Sequence, residues 1–242
     1  MPKVGLFVTC LVDLVRPQVG FAAVKLLEQA GCEVHVPAAQ TCCGQPAWNA
    51  GDNRNAAAIA RQVVDAFEGF DYVVAPSGSC AGMLRRHYPD VLKDDPRYAQ
   101  RAYALAERSH ELMSFLVGVC GMTAVAAQCS KSFCYHDSCS SLREMGVRSE
   151  PRALLSSVQG LERRELSDPE ICCGFGGLFS VKYPEISERM ADDKLADAKA
   201  TGASMLVGGD LGCLLHLAGR ARRKGIDLDV RHAAEILAGD GE

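Results

Sequence analysis

The feature that most constrains the fold of this chain is a cysteine pattern that occurs twice. The tripeptide Cys42-Cys43-Gly44 recurs as Cys172-Cys173-Gly174, and each copy lies between two single cysteines. The preceding cysteine is 32 positions upstream in the first copy and 33 in the second, and the following one is 37 and 40 positions downstream. The two sets are Cys10, Cys42, Cys43 and Cys80, and then Cys139, Cys172, Cys173 and Cys213. Two such sets predict two similar halves, each holding one metal centre, and we expect these centres to move electrons.

Both halves alternate short apolar strands with helical segments. KVGLFVT at 3–9 and SFCYH at 132–136 are typical of strands, whereas residues 184–201 have helical composition. This alternation predicts parallel sheets that are covered by helices on both faces. We therefore expect an α/β fold of two pseudo-repeated, doubly wound lobes with mainly parallel sheets, the first cysteine-rich repeat at 1–120 and the second at 130–242.

Two local expectations concern the end of the first half. A helix that begins near Cys80 is predicted to end before Pro89, because proline lacks the N–H that a helix interior needs. The stretch 95–119 is predicted to supply a longer helix and a connector.

Most of the eight patterned cysteines follow the end of a predicted strand or begin the next helix. Open α/β sheets place their ligand sites at the carboxyl ends of the strands, so the sequence predicts that each set converges at one sheet edge. Helix N-termini there present N–H groups and a partial positive charge to anionic thiolates and sulfide. The four remaining cysteines are expected to be small buried apolar residues; they are Cys32, Cys120, Cys129 and Cys134. For Cys120 and Cys129, which lie near the boundary between the halves, a role as ligands stays open as the alternative.

Composition excludes some classes of function. The net charge is −4 and the pI is near 5.9, which gives no electrostatic reason to expect nucleic-acid binding. No segment has the length and apolar character of a transmembrane helix, and the apolar N-terminus is predicted to be a strand instead of a signal peptide. A cytoplasmic location is therefore expected, and thiols in that reducing compartment stay free or bind metal.

Among metal centres, an iron–sulfur cluster agrees best with the cysteine pattern. Structural zinc sites usually take two C-x₂₋₄-C pairs, whereas this chain has adjacent pairs and isolated cysteines, so zinc is the weaker alternative. Clusters are held by thiolates and accept four of them. Gly44 and Gly174 then allow the backbone to turn tightly beyond each pair and to bring N–H groups close to sulfur.

The duplicated pattern resembles the CCG or cysteine-rich domain proteins, and the resemblance covers essentially the whole chain. This family includes the cysteine-rich subunit of heterodisulfide reductase and the iron–sulfur subunit of glycolate oxidase. Three motifs are most similar to the lactate utilization branch of the family: Ser77-Gly78-Ser79-Cys80-Ala81-Gly82-Met83, His136-Asp137-Ser138-Cys139 and Cys172-Cys173-Gly174-Phe175-Gly176-Gly177.

The resemblance implies an iron–sulfur redox subunit of a complex that oxidises L-lactate, a small 2-hydroxy acid, to pyruvate. It implies one 4Fe–4S-type cluster per repeat, with one or both labile on purification. The implied partners are other lactate utilization subunits, one of the iron–sulfur or ferredoxin type and one small. Two alternatives stay open: a heterodisulfide-reductase-like thiol and disulfide redox subunit, and a scaffold for partner subunits that holds zinc or no metal.

One departure from the family pattern affects the predicted ligands. The family ends each repeat with C-x-x-C, but Ser77 and Asp210 occupy the first of those positions in this chain. Each residue is a candidate for an extra oxygen ligand to its cluster. The alternative is local, with Ser77 in a turn and Asp210 capping the helix that contains Cys213.

Two histidines are candidate general bases for the oxidation of a hydroxy acid. His136 precedes Cys139 by three positions, and His216 follows Cys213 by three. The alternative for both is a hydrogen bond to cluster sulfur or simple packing. We expect the second repeat to hold the more reactive centre, because it has the richer glycine loop, the His136-Asp137 pair and an acid at position 210.

Overall fold

The protein, described here by a computed structural model that covers residues 1–239, contains two parallel sheets of four strands in that range. The first sheet consists of β1 (Lys3–Leu6), β2 (Glu33–His35), β3 (Tyr72–Ala75) and β4 (Ser109–Glu111); the second consists of β5 (Ser132–His136), β6 (Glu162–Arg163), β7 (Met205–Gly208) and β8 (Asp229–His232). The strand orders are β2-β1-β3-β4 and β6-β5-β7-β8, and every pairing is parallel. The predicted α/β fold of two similar, parallel lobes is confirmed. The last three residues of the predicted 130–242 repeat lie outside the described range.

Helices connect the strands and cover both faces of each sheet. The first lobe has α1 (Cys10–Val15), α2 (Gln18–Gln29), α3 (Gln45–Asn49), α4 (Asn53–Ala66), α5 (Gly78–Gly82), a π-helical segment (Met83–His87), α6 (Tyr88–Val91), α7 (Ala99–Glu107) and α8 (Leu112–Gly118). The second has a π-helical segment (Ser140–Glu144), α9 (Ser149–Leu155), α10 (Phe179–Lys182), α11 (Pro184–Ala200), α12 (Leu211–Lys224) and α13 (Ala233–Leu237). Within residues 1–239, no helix combines the length and the apolar character that crossing a bilayer requires.

Two local predictions were wrong. The helical path from α5 does not end before Pro89, because this proline lies in the first turn of α6, where its missing N–H costs little. The stretch 95–119 contains β4 between two helices, instead of one long helix and a connector. Its sequence Ser109-His110-Glu111 is short and polar, and β4 is defined by pairing with β3.

The strand order determines where a ligand site can form. In each lobe the second strand in the chain pairs with one side of the first strand, and the third strand pairs with its other side. This produces a switch point between β1 and β3 and another between β5 and β7. Crevices at the carboxyl ends of the strands beside such a point are the usual ligand sites of this architecture.

One hydrophobic cluster contains residues of both sheets. Side chains of β1 and β3, such as Val4 and Val74, belong to the same buried cluster as Phe133 of β5 and Met205 of β7. Between the sheets lie α2, α8, α9 and α13, of which α8 packs on α9 and α13 packs on α2. Each lobe therefore contributes a helix that packs against the other, and burial of this apolar surface fixes the two switch points relative to each other.

Candidate metal centres

The first thiol set assembles at the switch point between β1 and β3. Cys10 begins α1 directly after β1, and Cys80 lies in α5 directly after β3. Cys42 and Cys43 come from the loop after β2, where the Cys42 Sγ lies 4.0 Å from the Cys10 Sγ. The N–H of Gly44 donates to the Cys42 Sγ at 3.3 Å. The convergence that the spacing predicted is therefore present in the first lobe.

Electrostatics in the first set favour one thiolate at Cys42. Hydrogen bonds from the thiols of Cys10 and Cys43, together with the N–H of Gly44, lower the pKa of Cys42 to about 2. The same contact with Cys42 raises the pKa of Cys10, and burial adds to that effect. The pKa of Cys43 is also raised, first by Cys42 and then by Cys80. Neighbouring thiols therefore resist joint deprotonation, which a bound cation would reverse.

The second thiol set lies at the equivalent switch point between β5 and β7. Cys139 immediately precedes the π-helical segment after β5, and Cys213 lies in the first turn of α12 after β7. The N–H of Gly174 donates to the Cys172 Sγ at 3.4 Å, and the N–H of Phe175 donates to the Cys173 Sγ at the same distance. The neighbouring Cys172 thiol and burial raise the pKa of Cys139. This set therefore has the same backbone framework as the first.

The glycine after each cysteine pair adopts a left-handed backbone conformation. The φ angle is +83° at Gly44 and +87° at Gly174. A Cβ on Gly174 would lie 2.6 Å from the Ser187 carbonyl oxygen, whereas one on Gly44 would first meet the Ile59 Cγ2 at 3.3 Å. Both positions favour glycine for its φ, and Gly174 is also restricted by a close backbone contact.

His136 lies inside the second centre. Its side chain is 1% exposed, and its nearest ring nitrogen lies within 4.8 Å of the Sγ atoms of Cys173 and Cys213. Both ring nitrogens are buried, and neither has a hydrogen-bond partner among the described residues. Burial, reinforced by the charge of Lys194, lowers the pKa of His136 to about 3, so the imidazole is neutral. The predicted role of His136 as a base for substrate stays a prediction.

His216 lies beneath the glycine loop of the second centre. The Ser187 hydroxyl donates to the Gly174 carbonyl at 2.8 Å and lies 3.1 Å from the His216 Nε2. Because the serine proton is used in the first bond, Nε2 acts as the donor in the second. His216 thus supports the loop through Ser187, and its predicted role as a base is likewise untested.

Ser77 and Asp210 contact each other across the two lobes. The Ser77 hydroxyl donates to the Asp210 Oδ2 at 3.0 Å, and the Ser79 N–H donates to the same oxygen at 2.9 Å. The Gly212 N–H donates to Oδ1 at 3.1 Å. One carboxylate therefore caps its own helix α12 and also accepts from the first turn of α5 in the other lobe. Whether either residue is an additional ligand stays a prediction.

Two cavities open between the lobes, one beside each thiol set. The first, of about 160 Å³, is lined by all four cysteines of the first set and by Phe175 of the second lobe. The second, of about 290 Å³, is lined by Cys139 and Cys213 of the second lobe and by Trp48 of the first. Asp210 lines both cavities, so the two centres face one interlobe cleft.

Sequence analysis missed several residues behind the second set. Arg152 donates two hydrogen bonds to the buried Asp137 carboxylate, at 2.8 and 2.7 Å. Ser187 and Lys194 are buried on the inner face of α11, each 1% exposed. Their spacing of seven positions places them on one side of the helix, next to the apolar Ala191 and Leu195. Polar residues on the apolar face of a helix were the signal that could have indicated them.

Comparison with known proteins agrees with this duplicated architecture. The family model described as "CCG: Cysteine-rich domain" matches residues 4–85 and again 133–218. Lactate utilization protein A of Oceanobacillus iheyensis is 48% identical over 235 residues, which cover 97% of this chain and 96% of that protein. Lactate utilization protein A of Bacillus subtilis is 47% identical over 235 residues, which cover 97% of this chain and 98% of that protein.

Among solved structures, a hypothetical protein from Helicobacter pylori has a similar fold, with a TM-score of 0.63 and 12% identity. The match covers 98% of this chain and 48% of that one, so this chain spans about half of the other protein's length. Both centres described above lie within the two segments matched by the family model. The chain therefore belongs to the CCG cysteine-rich domain family, with one copy of the domain in each lobe.

Proposed function

We propose that this chain is an iron–sulfur redox subunit that takes part in the oxidation of L-lactate to pyruvate. The observation that carries the proposal is the convergence of four thiols in each lobe at a switch point, with backbone N–H groups already directed at sulfur. The lactate assignment rests on the names of relatives that are similar over nearly the whole chain.

The donor sets meet the chemical requirements of an iron–sulfur cluster. Such clusters supply one-electron chemistry, bind four thiolates, and are tuned by hydrogen bonds to sulfur. Cys10, Cys42, Cys43 and Cys80 would hold the first cluster, and Cys139, Cys172, Cys173 and Cys213 the second. The raised pKa values of Cys10 and Cys139 agree with this, since densely packed thiols need a cation to become thiolates together.

The protein's own groups would fix each cluster and shield it from water. Cys43, Cys80, Cys173 and Cys213 are at most 7% exposed, which limits solvent access from the core side. Gly44, Gly174 and Phe175 donate N–H groups to the cysteine sulfurs and would stabilise the added negative charge of a reduced cluster. The cleft between the lobes is the open side, towards which a small 2-hydroxy acid or a partner subunit would approach.

The proposal includes partners and a location. The chain would act in a reducing cytoplasm with other lactate utilization subunits, one of the iron–sulfur or ferredoxin type and one small. These would supply the acceptor for the electrons removed from lactate.

Anaerobic purification tests the metal assignment. Iron and acid-labile sulfide are measured together with zinc, and electron paramagnetic resonance is recorded before and after reduction with dithionite. We expect iron and sulfide in both lobes and a signal that appears on reduction. A metal-free protein that is fully active in the assembled complex would contradict the proposal, and one zinc per repeat without iron would favour the scaffold alternative. Disulfide turnover by the isolated chain would favour the heterodisulfide-reductase-like alternative.

A further inference from the structure

The two centres have different residues behind the same cysteine framework. His136 and Phe7 occupy equivalent positions, three residues before Cys139 and Cys10, at the ends of the central strands β5 and β1. Both side chains are at most 1% exposed. Phe7 packs on the Phe67 ring, with centroids 5.5 Å apart. His136 instead places one ring nitrogen within 4.8 Å of the Cys173 and Cys213 sulfurs, and neither of its nitrogens has a hydrogen-bond partner among the described residues.

The helix behind each cysteine pair shows a second difference of the same kind. On α11, Lys194 follows the buried Ser187 by seven positions, and on α4, Val63 follows the buried Ala56 by seven. These pairs occupy the same places in the buried faces of the two helices. Lys194 and Val63 are each at most 1% exposed, so a buried ammonium in one lobe replaces an isopropyl group in the other.

Among residues 1–239, no carboxylate forms an ion pair with the Lys194 ammonium. Nζ donates to the main-chain carbonyls of Asp168 and Pro169, at 2.6 and 3.3 Å, in the segment that leads to the cysteine pair. The two carboxylates that act most strongly on it have other partners. Asp137 pairs with Arg152, and Asp197 accepts from main-chain N–H groups at 167 and 168. Besides burial, the positive charge of Lys194 also helps to lower the pKa of His136. Burying such a cation is costly unless an anion lies close by.

We propose that His136 and Lys194 make the second centre the electron acceptor of the pair. A ring N–H of His136 would donate to a sulfur of the second cluster, and Lys194 would hold a buried positive charge behind it. Reduction adds one negative charge, so both groups stabilise the reduced state and raise the reduction potential above that of the first centre. One electron then passes from the reduced first centre to the oxidised second one, and no atom or proton is exchanged. This inference rests on the proposed iron–sulfur function.

Potentiometric titration of the complete, anaerobically purified chain tests the proposal, with electron paramagnetic resonance to follow each centre. The signals are assigned with Cys43→Ser and Cys173→Ser, which each remove one centre. The test variants are His136→Phe and Lys194→Met, which give the second lobe the apolar character of the first. At the wild-type midpoint of the second centre, we expect the ratio of reduced to oxidised form to fall about tenfold in each variant. For a one-electron couple this corresponds to about 59 mV.

Matched variants separate this effect from general disturbance. Phe7→Leu and Val63→Leu, at the equivalent positions of the first lobe, should leave the second potential unchanged. His136→Gln keeps an N–H donor and should retain most of the wild-type potential, which also covers the case in which His136→Phe does not fold. Pulsed resonance on protein labelled with ¹⁵N-histidine should detect a nitrogen coupled to the second centre, and this coupling should disappear in His136→Gln.

Equal potentials in the wild type, or a second centre of lower potential, would overturn this inference alone. Unchanged potentials in both His136→Phe and Lys194→Met, together with no histidine coupling in the wild type, would overturn it as well. If His136→Phe does not fold, an unchanged potential in Lys194→Met together with no histidine coupling has the same meaning. Absence of iron and sulfide from the wild type would overturn the proposed function and this inference together, so the two failures are distinguishable.

Discussion

The two thiol sets have the same framework and different surroundings. Each takes one cysteine from the end of each central strand and a pair from the loop after the edge strand, and each pair ends in a left-handed glycine. Behind the first set lie apolar side chains, Phe7, Val8, Ala56 and Val63; the equivalent places in the second lobe hold polar ones, His136, Asp137, Ser187 and Lys194. The duplicated framework provides two places for a metal centre, and the residues behind it make the two places chemically unequal.

The largest expected effect is the loss of one centre without the other. Cys43→Ser should remove the iron of the first lobe only, and Cys173→Ser that of the second only, because each set is complete within its own lobe. Iron and sulfide content should fall to half in either variant, and one resonance signal should disappear. Cys134→Ala serves as the control, since Cys134 is buried in β5 outside both sets and should keep full iron content. Loss of both signals from either variant would mean that the two sets form one centre.

The second largest effect concerns the ion pair of Asp137 with Arg152 in the second lobe. Asp137→Ala would leave the largely buried Arg152 without its bidentate partner, which should cost about 3–5 kcal/mol in the free energy of unfolding. Val8→Ala, at the equivalent place in the first lobe, should cost about 1 kcal/mol. Urea denaturation of both variants measures the difference. Equal losses would show that the pair contributes little beyond packing.

Much of this organisation could be predicted from the sequence, for a definite physical reason. Parallel strands align their carboxyl ends, so cysteines that follow successive strands must converge, and Cys10 and Cys42 do so at 4.0 Å. The contact of Ser77 with Asp210 could not be predicted, because it depends on how the lobes pack. The position of Lys194 on the apolar face of α11 indicates its burial, but the contact of its ammonium with the Asp168 and Pro169 carbonyls depends on tertiary packing and could not be predicted. The strand β4 is polar and three residues long, so its pairing with β3 is likewise a tertiary effect.

The capping residues of two helices at the lobe interface should make the free energy of unfolding depend on pH in opposite directions. Glu111 caps α8 in the first lobe, and burial raises its pKa to about 7; His232 caps α13 in the second, and burial lowers its pKa. Between pH 4.5 and 7 the folded state binds the Glu111 proton that the unfolded chain has lost, so this group lowers stability as pH rises through that window. His232 has the opposite effect. Below pH 6.5 the unfolded chain binds a proton at this histidine that the folded state does not bind, so this group lowers stability as the pH falls.

The variant Glu111→Gln isolates the first of these effects. Glutamine has no charge to lose and can still accept the N–H of Ser114 through its amide oxygen. The stability difference between wild type and variant should change by up to about 3 kcal/mol between pH 4.5 and 7, from about 1.4 kcal/mol per pKa unit. Urea denaturation at a series of pH values measures it. A difference that stays constant with pH would contradict the raised pKa of Glu111.

The smallest expected effect distinguishes the two glycines that follow the cysteine pairs. Gly44→Ala and Gly174→Ala should each lose about 1 kcal/mol, because alanine is strained at positive φ. Gly174→Ala should lose about 1–2 kcal/mol more, since its new Cβ would lie 2.6 Å from the Ser187 carbonyl oxygen, and the backbone must move to relieve that contact. The movement would also weaken the bond between the Ser187 hydroxyl and the Gly174 carbonyl, which links the loop to His216. Urea denaturation compares the two losses, and equal values would show that φ alone, and not close packing against α11, requires glycine in the second lobe.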